Sequence, residues 1–152
     1  MKILVSACLL GRDCKYSGGN NRSEALLQWL DRHGVEPVPV CPEVQGGLPT
    51  PRPPAEVQGN RVVNREGTDV TAEYERGAEI ALETARREGC TVAVLKAKSP
   101  SCGTGQIYDG TFSGTLIPGS GVASGLLQRN GIRVYTEKNF PPEIEDCPYT
   151  LK

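Results

Sequence analysis

The chain has 152 residues, enough for one domain with one sizeable core, and its 17 Lys+Arg nearly balance 18 Asp+Glu. No basic block or acidic tail stands out, which argues against a nucleic-acid footprint or an electrostatic membrane patch while leaving room for a nucleotide-sized ligand. Gly 18 and Pro 12 are high and aromatics are few, so shaped loops around an aliphatic core are expected.

Ile3 to Ala7 is a continuous apolar run of strand length, the kind that suits a parallel strand covered on both faces. It runs into Cys8 and a Gly-rich polar loop that holds Asp13, Cys14 and Tyr16. Ser23 is a good N-cap, and a helix is expected from there to His33, with Leu26, Trp29 and Leu30 at helical spacing and Gly34 as the stop. His33, the only histidine, reads as a cation favoured by a helix C-terminus rather than as a ligand. Val35 to Val40 is a second strand. Its Pro37 and Pro39 remove ladder donors, so it must lie at an edge or pair through alternate residues.

Cys41-Pro42-Glu43 opens a long loop, Val44 to Glu56, stiffened by five prolines between 42 and 54. A hairpin around Gly59-Asn60 joins Glu56–Gln58 to Arg61–Asn64. Asp69-Val70-Thr71 caps the longest helix, Thr71 to Glu88, with Glu73 and Glu75 near its start and Arg86 and Arg87 near its end. Tyr74, Ala78, Ala81, Leu82 and Ala85 form its buried stripe, and Gly89 stops it. Cys90 reads as a small buried hydrophobe. The third strand, Thr91–Ala97, ends in Ser99-Pro100-Ser101-Cys102-Gly103. Asp109-Gly110 signals a hairpin between Gln106–Tyr108 and Thr111–Ser113. A last helix, Val122–Asn130, leads to the strand Ile132–Thr136. From Phe140 a Pro- and acid-rich tail follows, with Cys147 in it.

Helices alternating with apolar runs imply right-handed crossovers. The expected fold is α/β, a mostly parallel, Rossmann-like sheet with helices on both faces. In such a sheet ligands bind at the carboxyl edge. Cys8, Cys41 and Cys102 each follow a strand at that edge, so three distant thiols become one possible site. No signal peptide and no membrane-length apolar run is read, so a cytoplasmic protein with reduced thiols is expected. There, loop cysteines are more often metal-binding or catalytic than bridged. Three thiolates with an open position suit a catalytic zinc or a four-iron cluster with one iron free of cysteine, and soft thiolates also select copper(I). A closed structural zinc would need a fourth ligand, for which Cys14 is nearest. A phosphatase reading, with a nucleophilic Cys after the first strand and an Arg six positions later, fits poorly, since Arg12 is four after Cys8 and Cys14 takes the sixth position.

Six motifs carry a family resemblance. Ser6-Ala-Cys-Leu-Leu-Gly11, Cys14-Lys-Tyr-Ser-Gly18, Cys41-Pro-Glu43 with Gly46-Gly-Leu and Pro51-Arg, Gly67-Thr-Asp-Val-Thr71, Leu95-Lys-Ala-Lys-Ser-Pro-Ser-Cys-Gly103 and Ile107-Tyr-Asp-Gly-Thr-Phe112 together resemble the bacterial family that includes the thiouracil desulfidases. The resemblance spans residues 1 to 137 or so. It implies a 4Fe-4S cluster held by Cys8, Cys41 and Cys102, with one iron left open for the sulfur of a thiolated base such as 2-thiouracil. It further implies that Glu43 is the acid/base acting on water and that Ser101 positions substrate or water. The products would be uracil and hydrosulfide. Residues 1–139 are then a single iron–sulfur-type domain in stand-alone form, with 140–152 as a C-terminal tail. The expected partner is a small-molecule thiolated base, with neither nucleic acid nor membrane.

Bland readings stand beside these. Glu43 can cap a turn or pair with Arg52, Ser101 can close a turn, and Lys96 and Lys98 can form a solvated edge, though Lys98 could also steer an anion. Cys14 can be a spare ligand, a sulfur acceptor or a buried side chain. If it closed the fourth iron, a non-catalytic metal-cluster or persulfide-binding redox module would be the better reading.

Overall fold

The computed structural model describes residues 1–140. Its centre is a four-stranded parallel sheet in the order β2-β1-β5-β8, formed by β1 (Lys2–Ser6), β2 (Glu36–Val40), β5 (Val92–Leu95) and β8 (Arg133–Thr136). The pleat separates the side chains of these all-apolar runs onto two faces. Ile3, Val5, Val92 and Val94 face the helix α1 (Glu24–Arg32) and pack with its Leu26, Trp29 and Leu30. Leu4, Ala93 and Leu95 face the opposite way, onto Ala81 and Ala85 of α3 (Thr71–Glu88) and Leu127 of α4 (Val122–Arg129). Helices thus cover both faces, as the alternation of apolar runs implies.

The helix ends follow their residue chemistry. Ser23 Oγ accepts from Leu26 N at 3.3 Å, which caps α1. At α3 the cap is divided: Asp69 Oδ1 accepts from Thr71 N at 2.9 Å, and Thr71 Oγ1 accepts from Val62 N at 2.8 Å. The latter bond ties the helix to the hairpin β3 (Ala55–Gln58) and β4 (Arg61–Asn64).

β2 is an edge strand, which resolves its two prolines. Pro37 and Pro39 pair with Ile3 and Val5 in register and share one parity. In a parallel ladder alternate residues turn their N–H away from a given neighbour, so the ring nitrogens lie where β1 asks for no donor.

Three elements differ from the sequence expectation. Cys8 lies in a one-turn 3-10 helix, Ala7–Leu10, closed by Gly11 at φ 97°, and not in open loop. Cys41-Pro42-Glu43 begins a short helix, α2 (Pro42–Gln45), with Cys41 at the N-cap, Pro42 in the first turn and Cys41 N donating to Gln45 Oε1 at 3.0 Å. The hairpin partner of β6 (Gln106–Tyr108) is β7 (Leu116–Pro118), not Thr111–Ser113. In place of a strand partner, Glu56 Oε1 accepts from Gly110 N and Phe112 N at 2.9 and 3.1 Å, and Asp109 Oδ1 accepts from Thr111 N. Side-chain acceptors thereby satisfy the backbone that a tight hairpin would have paired. Phe140, where the tail was expected to begin, is 1% exposed and meets Trp29 edge-on. Cys147 lies outside the described residues.

α2 is held against α3 by two glycines. A Cβ on Gly77 would lie 1.8 Å from the Pro42 carbonyl oxygen, and one on Gly46 would lie 1.9 Å from that of Glu73. Gly77→Ala therefore opposes two effects. Alanine improves helix propensity by about 1 kcal/mol, but backbone on both sides of the contact has to move, at a cost of about 1–3 kcal/mol. The expected outcome is a net loss, read as a lower urea midpoint. A midpoint at or above that of the wild type would show that α2 shifts freely.

Candidate functional site

The strand order places the site. The chain leaves β1 toward β2 on one side and crosses back to β5 on the other, so the loops after β1 and β5 diverge and open a crevice at the carboxyl edge. A cavity of about 630 Å³ lies there, and Cys8, Cys41, Cys102, Glu43 and Ser101 all line it. Cys14 lines it as well. Cys90 does not, and packs at 4% exposure in the aliphatic core just before β5.

Each thiol is fixed by its own backbone device. Cys8 follows β1 directly. Asn21 N donates to the Cys8 carbonyl at 3.0 Å, and Asn21 Nδ2 reaches Cys8 Sγ at 3.5 Å. Cys41 is the N-cap of α2. Cys102 lies in the turn after β5, where Ser99 Oγ accepts from Ser101 N and Cys102 N at 3.1 and 3.0 Å. The same turn caps α4: Val122 N donates to the Pro100 carbonyl, and Ala123 N and Ser124 N donate to that of Ser101. Three amides that a helix start leaves unpaired are satisfied by this turn, so neither can move without the other. Gly103 and Gly121 permit the contact, since a Cβ at either would come within 2.7 Å of Ser99 or Ser101 backbone.

Glu43 joins the two sides of the crevice. Its Oε1 accepts from Arg52 Nε at 3.1 Å and its Oε2 accepts from Ser101 Oγ at 2.9 Å. Both bland alternatives for Glu43 and Ser101 are thus partly true: Glu43 does pair with Arg52, and Ser101 does sit in a turn. The buried Tyr74 phenol faces the same carboxylate. Its pKa is raised by burial and by the charge of Glu43.

The thiols differ in their ionisation. Burial pushes Cys102 up to about 12, against opposing hydrogen bonds from Ser6 and Ser101. Burial also raises Cys8, and the Asn21 amide partly offsets this. Cys41 moves the other way, because the Cys14 thiol donates to it; Cys14 is correspondingly raised by that bond and by burial. While Cys41 is protonated, its Sγ can instead donate to the Cys14 carbonyl oxygen, 3.7 Å away.

Lys96 is not a free solvated cation. Its Nζ lies 3.0 Å from Glu137 Oε2, and its backbone N donates to Ser6 Oγ. Lys98 lines the cavity with φ 67°. Asn21, Ser6, Ser99 and Tyr74 support the site without having been singled out from the sequence. Asn21 had a signal, being a side-chain amide in the loop that begins at Cys8. The others follow only from the three-dimensional pairing.

The donor set can be tested against the cluster that the resemblance implies. Among the described residues no three His, Cys, Asp or Glu side chains converge on one point as ligands of a single ion would. The three thiols come instead from the segments that follow three adjacent strands, around a roomy cavity. An all-sulfur set spread around such a space fits a polynuclear iron–sulfur centre better than a mononuclear zinc site. Asn21 Nδ2 supplies Cys8 with a hydrogen bond to sulfur of the kind that tunes such centres, and Ser101 Oγ, whose one proton goes to Glu43 Oε2, has Cys102 Sγ at 3.6 Å as an alternative acceptor.

Known proteins resemble this chain over nearly its whole length. A family model described as 2-thiouracil desulfurase matches residues 3–139. The uncharacterized protein YbbK of Bacillus subtilis strain 168 is 43% identical over 148 residues, covering 91% of this chain and 97% of its own. The solved structure of a 4Fe-4S-dependent thiouracil desulfidase, TudS, superposes with a TM-score of 0.90 at 47% identity, covering 99% of each chain.

The thiol environments predict an order of reactivity in metal-free protein. Iodoacetamide should label Cys41 at lower pH than Cys8 or Cys102, and Cys102 last, as read by peptide mass spectrometry across a pH series. Cys14→Ala removes the donor to Cys41 and should move the Cys41 labelling curve to higher pH. No movement would mean that Cys14 does not stabilise the thiolate.

Proposed function

The chain belongs to the 2-thiouracil desulfurase family, and on that premise we propose that it is a cytoplasmic 4Fe-4S-dependent desulfidase whose substrate is a small thiolated base such as 2-thiouracil. The observation that carries this reading is the convergence of Cys8, Cys41 and Cys102 on one cavity with the Glu43–Ser101 pair beside them. No helix among the described residues is long and apolar enough to cross a membrane.

In this reading Cys8, Cys41 and Cys102 hold the cluster as thiolates, and one domain, residues 1–139, carries the activity. When bound, a cluster with one iron free of cysteine supplies a soft Lewis acid for the thiocarbonyl sulfur. The chain's own residues do the rest. Glu43, held as an acceptor by Arg52 and Ser101, takes a proton from the attacking water. The Ser101 hydroxyl orients that water or the substrate through its bond to Glu43 Oε2. The C=S bond is replaced by C=O, water supplies the oxygen, and sulfur leaves as hydrosulfide with no net redox change. The turn after β5 is locked by α4, so Ser101 and Cys102 keep a fixed offset during the reaction.

Anaerobic reconstitution tests this directly. The loaded protein should carry about four irons per chain and convert 2-thiouracil to uracil and hydrosulfide in equal amounts. Cys8→Ala, Cys41→Ala and Cys102→Ala should each lower iron content and abolish sulfide release. Glu43→Gln should keep its iron and lose activity by about 10²–10⁴-fold. A fully loaded protein inert to thiobases would instead favour a non-catalytic cluster or persulfide module. In that case Cys14, which touches Cys41, becomes the residue to test as a fourth ligand.

A further inference from the structure

The most heavily used polar side chain in the crevice is one that the proposed reaction does not employ. Arg52 is 8% exposed. Its Nε donates to Glu43 Oε1 at 3.1 Å, its Nη2 to the Cys14 carbonyl at 2.9 Å, and its Nη1 to the Pro49 carbonyl and Thr50 Oγ1 at 3.2 and 3.1 Å. Its backbone N donates to the Tyr16 carbonyl at 2.8 Å. A buried guanidinium is tolerated only when paired and hydrogen-bonded. Among the described residues Glu43 is its one ion-pair partner, and neutral acceptors fix the remaining directions. The planar fork therefore cannot rotate without breaking several bonds together.

We infer that Arg52 is a positioning residue for Glu43: by clamping Oε1 it leaves Oε2 as the oxygen aimed at Ser101 and the cavity. The argument rests on what α2 cannot do by itself. The backbone of α2 places Glu43, but a glutamate keeps several staggered rotamers open there, so side-chain partners must select one. A carboxylate has two oxygens and several acceptor sites, and one left free would present either oxygen to a bound water. Arg52 removes that choice. It also ties Glu43 to the loop that holds Cys14, whose carbonyl lies beside Cys41 Sγ. The base and the Cys14 loop that backs Cys41 thus share a single anchor. A lysine would keep the charge but not the fork.

The inference rests on the desulfidase reading for its kinetic consequence, but its geometric content can be tested separately. Arg52→Met, reconstituted anaerobically, should lower kcat for 2-thiouracil by about 10²-fold, the scale of a misplaced catalytic group. KM and iron content should stay within about threefold of wild type, as expected when an effect lies in the chemical step. In a Glu43→Gln background the same substitution should cost little further, because its effect passes through Glu43. Arg52→Lys should fall between Met and wild type, and carries the kinetic test if Arg52→Met does not fold. A crystal structure of the more severe variant that folds should show Glu43 turned away from Ser101, whether or not the wild type proves active. Unchanged kcat, an iron loss that accounts for the loss of rate, an additive loss in the Glu43→Gln background, or an undisturbed Glu43–Ser101 bond would each overturn the inference. A wild type that releases no sulfide at full iron content would sink the desulfidase reading and leave the crystal structure to decide the role of Arg52.

Discussion

A half-hidden carboxylate with a different partner on each oxygen is the constraint on which the rest of the site depends. Glu43 comes from the segment after β2, Ser101 from the turn after β5, and Arg52 from the proline-rich loop. Withdrawing a charge from water is costly unless every direction is satisfied. The three segments therefore have to meet in one arrangement. The close approach of α2 and α3 at Gly46 and Gly77 sets the depth of Glu43, and the capping of α4 by Pro100 and Ser101 sets the position of its partner. The thiols take their places in the same scaffold, one in the segment that follows each of three neighbouring strands.

That arrangement shows how a fold of ordinary α/β type can gather three thiols around one cavity without the paired cysteine knuckles of a structural zinc site. The sheet supplies the spacing. Each thiol is displayed by a different local device: a 3-10 turn for Cys8, a helix N-cap for Cys41 and a serine-bridged turn for Cys102. Each device is local, and the site's coherence comes from strand order together with the Glu43–Ser101 and Arg52–Cys14 bonds that tie the segments to one another. Burial raises the thiols of both Cys8 and Cys102, which disfavours the thiolate form at these two positions.

Much of this was legible in the residues. Long apolar runs of strand length, well-capped helices and the succession of elements suffice for the parallel sheet and for the three thiols at one edge. The helix expected at about Thr71 to Glu88 is found there because polar residues at its start and a terminal glycine bracket it. What stayed hidden shares a physical cause. α2 is too short to show a period, and only Pro42 in its first turn hints at it. The partner of β6 was misread because Asp109-Gly110 looks like a two-residue hairpin, while a distant carboxylate, Glu56, claims the amides on either side of Thr111. Phe140 looked like the start of a tail, and only tertiary packing against Trp29 reveals it as core. Ser99 and Ser6 act through their neighbours' amides, which no side-chain pattern records. Arg52 appeared in the sequence only as a possible mate for Glu43; that it also spans Cys14, Pro49 and Thr50 requires coordinates.

The prolines of β2 have a consequence beyond pairing. An edge strand beside an open crevice presents unpaired amides to any other extended chain, including a nascent copy of the same protein. Pro37 and Pro39 remove the donors on the outward side of this edge while leaving its inward ladder to β1 intact. Strand addition at that border is blocked by covalent structure. The protection does not depend on charge or on the state of the site, so it holds whatever the crevice contains.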